Sequence, residues 1–309
     1  MNFGKYIFSK MPLFQNQKAV NQKLVDIDGF EITLKREDLL HPTVSGNKFR
    51  KLKYNLKQAK TEGHHTLLTF GGAFSNHLAA TASAGRIQGF KTIGVVRGDE
   101  KVQNPTLQFC QDQGMNLFPI SRATYREKDT VHFHETLKQK FGDFYSLPEG
   151  GTNQIAVRGC TEILTAADKY FDVICCSVGT GGTLAGLIES AQSHQMVLGF
   201  TALEHQKITR EIERFTSKKN WEINHDYVFG GYAKVSLPLI KFINDFNKNF
   251  KTPLDPIYTG KLLFGIFDMI KQKQWNWGKR ILVIHTGGLQ GIAGMNQTLS
   301  KKEWPKIQV

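Results

Sequence analysis

Residues 65–98 read HTLLTFGGAFSNHLAATASAGRIQGFKTIGVVRG. The apolar run HTLLTF (65–70) has strand composition, GGAFSNHLAATASAG is a glycine turn opening into small helix formers, and KTIGVVRG (91–98) is a second strand closed by glycine. One β-turn-α-β unit results, the building block of an open, mostly parallel sheet covered by helices. Helix patterns around 104–113 and 126–141, with the strand NLFPI between them and FYSLP after, extend it to a block of about four strands. The second half repeats the grammar. A helix over 153–168, with Ile155, Cys160, Ile163 and Ala167 on one side, precedes the strand DVICCSV, the glycine loop GTGGT and a helix at 183–192. The strand MVLGFTAL, an amphipathic helix near 207–219, helices near 237–250 and 260–273 and the strand RILVIHT follow. Before residue 50, EITLKRED reads as a strand, and LLHPTVSGN as a loop opening a helix in which Phe49, Leu52, Leu56 and Ala59 share one face. The fold class is therefore α/β with two open, mostly parallel sheets: a small domain of residues 51–150 inserted into a large domain of 1–50 and 151–309.

The bulk numbers agree with this reading. A chain of 309 residues, 40% hydrophobic and 22% charged, can bury a large core, and no repeat or low-complexity tract interrupts it. The start, MNFGKYIFSKMPLF, is broken by Lys5 and Lys10, so neither a signal peptide nor a membrane span is expected and the cytoplasm is the expected location. Cys110, Cys160, Cys175 and Cys176 show no metal-ligand spacing, and the last two lie in an apolar run, so no metal site is expected. The net charge of +13 raises nucleic acid as a partner. The cations are spread along the chain without a nucleic-acid motif, which favours a basic surface that attracts small anions. The densest stretch, Lys48 to Lys60, carries six Lys or Arg and no acid.

Four loops carry candidate chemistry, and each can also be a plain structural turn or cap. Lys48 stands at a helix start, where the positive end of the helix and the neighbouring Arg50 and Lys51 favour its neutral, nucleophilic form. An SGNK loop can equally be a simple helix cap. Ser177-Val178-Gly179-Thr180-Gly181-Gly182-Thr183 joins a strand to a helix, where glycines let backbone N–H groups close around a phosphate, or where a tight turn is all that is needed. Gly71 to His77 opens a helix after a strand, so Ser75 and Asn76 either face a crevice at the strand ends or cap the helix. His285-Thr286-Gly287-Gly288 ends the last strand in the same way.

In this order, LKREDLLHPTVSGNKFRKLKYNL, GGAFSNHLAATA, SVGTGGTLAGL, DPIYTGKLLFGI and VIHTGGLQG resemble the pyridoxal-phosphate enzymes of the tryptophan-synthase β fold (fold type II), specifically the 1-aminocyclopropane-1-carboxylate deaminase and D-cysteine desulfhydrase group. The resemblance runs through most of the chain. It implies pyridoxal 5'-phosphate as cofactor, held as a Schiff base on Lys48, which would then move protons at the substrate α-carbon. Asn76 would bond the cofactor's 3'-oxygen, and Gly179, Thr180, Gly181, Gly182 and Thr183 would hold its phosphate. Ser75 and His77 match positions that receive the substrate carboxylate or assist at its reacting carbon, and Tyr232 and Tyr258 match two tyrosines that face the substrate. The deaminases carry Glu after the second tyrosine; here that residue is Thr259, and the last strand ends in Thr286, so a neutral hydroxyl is expected at the pyridine nitrogen. Another departure is Leu289-Gln290-Gly291, where close relatives often have proline. The resemblance thus implies a homodimer that takes a small amino acid and eliminates its β-substituent to give pyruvate and ammonia, as D-cysteine desulfhydrase does. The alternatives are 1-aminocyclopropane-1-carboxylate deaminase, an amino-acid racemase, and, from outside the family, a basic nucleic-acid-binding α/β protein.

Overall fold

A computed structural model describes residues 13–15, 17–98, 104–203 and 207–309, and its ten strands fall into two sheets. The expectation drawn from the N-terminal MNFGKYIFSKMPLF lies almost wholly outside the described residues. A hairpin, β1 (Asn21–Ile27) and β2 (Phe30–Lys35), leads through a loop to α1 (Asn47–Thr61). Then come β3 (Thr66–Gly72), α2 (Asn76–Gln88), β4 (Lys91–Arg97), α3 (Pro105–Asp112), β5 (Met115–Ile120), α4 (Arg122–Tyr125), α5 (Val131–Phe141) and β6 (Tyr145–Leu147). The remainder runs α6 (Gln154–Cys160), β7 (Val173–Val178), α7 (Gly182–Ser190), β8 (Met196–Thr201), α8 (Ile208–Glu213), β9 (Trp221–Asn224), α9 (Leu237–Phe250), α10 (Thr259–Lys271), β10 (Arg280–Ile284) and α11 (Gly291–Lys301).

The larger sheet has the order β1-β2-β10-β7-β8-β9 and the smaller β5-β4-β3-β6. Every pairing is parallel except the β1–β2 hairpin. The apolar run of β7 shows why the larger sheet is covered on both faces: successive strand residues point to opposite sides. Val173 and Cys175 pack with Leu263 and Ile266 of α10 and Ile243 of α9, whereas Ile174 and Cys176 pack with Leu184 and Ile188 of α7 and Cys160 of α6. In the smaller sheet Leu67 packs against Phe49, Leu52 and Leu56 of α1, and Leu68 and Phe70 face Phe133 and Leu137 of α5.

Both sheets thus follow the expected α/β plan, and the four strands of the smaller one come from a single stretch between β2 and β7. The domain boundary expected after residue 50 falls inside α1, which packs on the smaller sheet through its apolar face. On another side it meets α6, where a Cβ on Gly159 would lie 2.1 Å from the Arg50 carbonyl oxygen. Several local expectations are corrected. The helix expected over 153–168 stops at Cys160, because Asp168 is drawn into a buried pair with Lys35 (2.7 Å) and caps a separate 3₁₀ turn from Thr165. The helix expected near 207–219 stops at Glu213, and Thr216 and Lys218 turn back to bond Glu189. Strands β1 and β9 and helix α11 were not foreseen. Among the described residues no helix is long and apolar enough to cross a membrane.

Candidate active site

Lys48 is placed by the backbone before it. Gly46 has φ +62°, and a Cβ there would sit 1.9 Å from the Thr286 carbonyl oxygen, so only glycine lets this loop lie against the end of β10. The Gly46 N–H donates to Glu37 O (3.1 Å) and the Asn47 N–H to Thr286 O (3.3 Å). Asn47 Nδ2 donates to Thr183 Oγ1 (2.9 Å), tying the start of α1 to the start of α7. Lys48 Nζ, in contrast, has one long contact, with Gly150 O at 3.5 Å. Burial, and then the charge of Lys51, hold its pKa well below the ordinary lysine value, so the amine is readily neutral. Of the two cationic neighbours expected to act on it, only Lys51 does. Arg50 is taken up by a two-pronged pair with the fully buried Glu37, both bonds at 2.8 Å.

Lys51 turns toward the glycine loop. Its ammonium donates to Gly150 O (3.0 Å), Thr152 Oγ1 (2.8 Å) and Thr180 Oγ1 (3.5 Å), and the Thr152 and Thr180 hydroxyls lie 2.5 Å apart. The first N–H groups of α7 open beside that ammonium after Gly179, Thr180 and Gly181, an arrangement suited to a phosphate dianion. Replacing Lys51 with Met is expected to move the reaction of Lys48 with an amine reagent such as trinitrobenzenesulfonate to higher pH, because the cation that opposes protonation of Lys48 is gone. A labelling profile that does not move, followed by peptide mapping, would refute that coupling.

One cleft of about 490 Å³ of empty space brings together Lys48, Asn76, Gly179, Thr180, Gly181, Thr183, Tyr258 and Thr286, joined by Asn47, Lys51, Gly150 and Ser177. Thr286 Oγ1 and Ser177 Oγ are 3.2 Å apart at its floor. Asn76 Oδ1 accepts from Gln290 Nε2, in the LQG turn after β10. Ser75 does not line the cleft, and its hydroxyl accepts the Leu78 N–H (3.3 Å), so the capping alternative holds for this residue. His77 lies behind Gly151, 2% exposed, with no hydrogen-bond partner for either ring nitrogen among the described residues. Burial first, then Lys48 and Lys51, push its pKa well down and keep it neutral. Gly182 lies back from the cleft at the start of α7, against Thr152.

Tyr258 and Thr259 depend on a residue that sequence reasoning passed over. The buried Asp255 carboxylate accepts the N–H groups of Ile257 (2.9 Å), Tyr258 (2.8 Å) and Thr259 (2.8 Å), fixing the loop that starts α10. Tyr258 faces the cleft and meets Tyr232 edge-on, ring centroids 6.5 Å apart at 64°. Burial raises both phenol pKa values, Tyr258's well above the ordinary value, so both stay protonated donors at neutral pH. Tyr232 itself lines a neighbouring cavity with Phe74 and Arg97. Thr259 is fully buried with its hydroxyl unpartnered among the described residues, and it does not line the cleft; Thr286 does. Asp255→Asn, which removes one charged acceptor from three N–H groups, is expected to cost about 2 kcal/mol in urea unfolding. An unchanged midpoint would contradict that. Lys51, Asn47, Thr152 and Asp255 are the site residues the sequence reading missed. The glycine pair in PEGGTN (148–153) and the Asp-Pro of DPIYTG were the available signals.

A near-neutral amine, an anion cradle made by the glycine loop before α7 with Lys51 three residues further along α1, and an amide and a hydroxyl pair lining the same cleft fit a phosphorylated pyridine aldehyde. Comparison with known proteins agrees: the chain belongs to the family described as pyridoxal-phosphate dependent enzyme, whose model matches residues 17–287. Within it, the chain is 32% identical over 300 residues to a Thermotoga maritima protein named "Putative 1-aminocyclopropane-1-carboxylate deaminase", with 90% of this chain and 95% of that one covered. It is 26% identical to an Arabidopsis thaliana protein named bifunctional D-cysteine desulfhydrase/1-aminocyclopropane-1-carboxylate deaminase, mitochondrial, covering 86% of this chain and 74% of the relative. The crystal structure of an ACC deaminase homologue superposes with a TM-score of 0.81 at 27% identity, covering 92% of this chain and 93% of the other. The protein is thus a pyridoxal-phosphate-dependent enzyme with lyase and deaminase relatives.

Proposed function

We propose that the protein eliminates the β-substituent of a small amino acid of the D-cysteine type, releasing pyruvate, ammonia and, from cysteine, hydrogen sulfide. The observation that carries this reading is the polar wall of the cleft: Thr286 and Ser177 present hydroxyls there, and among the described residues no carboxylate lines the cleft. Asp38 and Asp255, two acids near it, are committed elsewhere. Asp38 takes both prongs of Arg36 (2.9 and 2.7 Å), and Asp255 takes three backbone N–H groups. Bound pyridoxal 5'-phosphate supplies an electron sink for negative charge at the substrate α-carbon, weaker when its ring nitrogen meets a hydroxyl instead of an acid. Loss of a thiol asks less of that sink than opening a cyclopropane with no α-hydrogen.

The residue roles follow from position. Lys48, with its one long contact, removes the proton from the substrate α-carbon. Asn76 holds the ring oxygen side, and Thr180, Thr183, Lys51 and the loop N–H groups from Gly179 to Gly182 hold the phosphate. Ser75 and the neutral His77, which do not line the cleft, are given the substrate carboxylate side by the resemblance alone, and the protonated Tyr258 and Tyr232 stand over the reacting carbon and donate to the leaving group. The same reading includes a cytoplasmic homodimer, which sedimentation checks for the assembly.

The test is a side-by-side pyruvate assay of the cofactor-loaded enzyme with D-cysteine, L-cysteine and 1-aminocyclopropane-1-carboxylate. Turnover of D-cysteine without the cyclopropane is expected. The names of the relatives favour a second reading, cyclopropane opening, and turnover of 1-aminocyclopropane-1-carboxylate would replace the first reading with it.

A further inference from the structure

Lys261 is a lysine on α10 that is 2% exposed and takes no part in the cleft. Its ammonium donates to three backbone carbonyls: Val228 (2.8 Å), Gly231 (3.0 Å) and Ala202 (3.3 Å). An ammonium has three N–H donors and no acceptor, so the three carbonyls satisfy it completely. Ala202 directly follows the end of β8, while Val228 and Gly231 belong to the loop that presents Tyr232.

That loop does not hold its shape through local preference. Phe229 (φ +54°), Gly230 (+82°), Gly231 (+112°) and Ala233 (+58°) all have positive φ, and two of the four carry a Cβ that disfavours it. Such a run persists only when its surroundings fix it. Two anchors are present: Tyr227 Oη donates to Asp268 Oδ2 (2.9 Å), and Lys261 holds both sides of the turn at once. The Phe229 ring also stands 5.9 Å from the ammonium and packs edge-on to Phe264. Burial lowers the Lys261 pKa to about 8 against the pull of Asp255, so the three-donor form predominates at neutral pH. Next to this turn, Tyr232 meets Tyr258, a lining residue of the cleft, edge-on.

We propose that Lys261 is a positioning residue which, without touching substrate, sets Tyr232 against Tyr258 by pinning the 228–231 carbonyls to the end of β8. The consequence for turnover rests on the functional reading above; the consequence for the loop does not. In hydrogen–deuterium exchange on the cofactor-loaded enzyme, Lys261→Met is expected to speed exchange across 229–234 about tenfold, the scale of one lost charge-assisted bond, with β7 and β10 unchanged. Lys261→Arg, which keeps the cation, should restore part of the protection. If the Met variant does not fold, Lys261→Gln, with two N–H donors, takes its place. In kinetics with D-cysteine the Met variant is expected to raise KM more than it lowers kcat. That effect should vanish in a Tyr232→Ala background, which a general loss of stability would not produce.

Unchanged exchange in 229–234 would overturn the inference whatever the substrate. So would a loosened loop whose kinetic effect persists undiminished without Tyr232. A wild-type enzyme that turns over no amino acid would refute the functional reading and leave the exchange data to decide the loop.

Discussion

Lys48→Ala protein is expected to fold, to remain colourless when pyridoxal 5'-phosphate is added, and to lose about 10³-fold or more in kcat/KM. The expectation rests on the contrast between two lysines three positions apart on α1. Among the described residues Lys48 Nζ makes only a 3.5 Å contact, and its pKa is strongly lowered, whereas Lys51 is spent on Gly150, Thr152 and Thr180. Lys51 therefore cannot replace Lys48 as the reacting amine without giving up the cradle beside α7. Absorbance near the visible cofactor band and a pyruvate assay read the two losses separately. Retention of colour and most activity in Lys48→Ala would show that the amine is elsewhere.

Arg50→Met is expected to cost about 3–5 kcal/mol of stability, read as a shift of the urea midpoint, because it strands the Glu37 carboxylate at 0% exposure. The effect reaches the site through the backbone of the same residue, because the Glu37 carbonyl accepts the Gly46 N–H and Gly46 sets the approach of Lys48 to β10. A double variant, Glu37→Leu with Arg50→Met, should recover much of the loss, since no charge is then left buried without a partner. If the single and double variants are equally unstable, the pair is not what fixes this corner.

The parts of this architecture that were legible in sequence are those written in short range. The uninterrupted apolar run of β7 announces a strand covered on both faces, and GGAFSN and GTGGT announce turns opening helices after strands. Lys48, Asn76, the glycine loop and Thr286 meet at one cleft because such loops all lie at the same end of their strands, and Tyr258 joins them from the connection between α9 and α10. What was missed is held by long-range partners. Strand β9 pairs only with β8 and has four residues, and β1 alternates exposure too weakly to stand out from a loop. The break after Cys160 is made by Lys35, which captures Asp168 from 133 positions away. Arg50 and Lys51 look alike in sequence, yet Glu37 neutralises one and Gly150 and Thr152 recruit the other. Thr259 and Thr286 also looked equivalent as partners for the ring nitrogen; only Thr286 lines the cleft.

Borohydride reduction of the purified, cofactor-loaded protein followed by peptide mapping identifies the amine that carries the cofactor. With Lys48 in that role, the visible band is bleached and a single pyridoxyl label appears in the tryptic region containing Lys48, absent from Lys48→Ala. A label on Lys51 or Lys261, or no label at all with the protein fully folded, would contradict it.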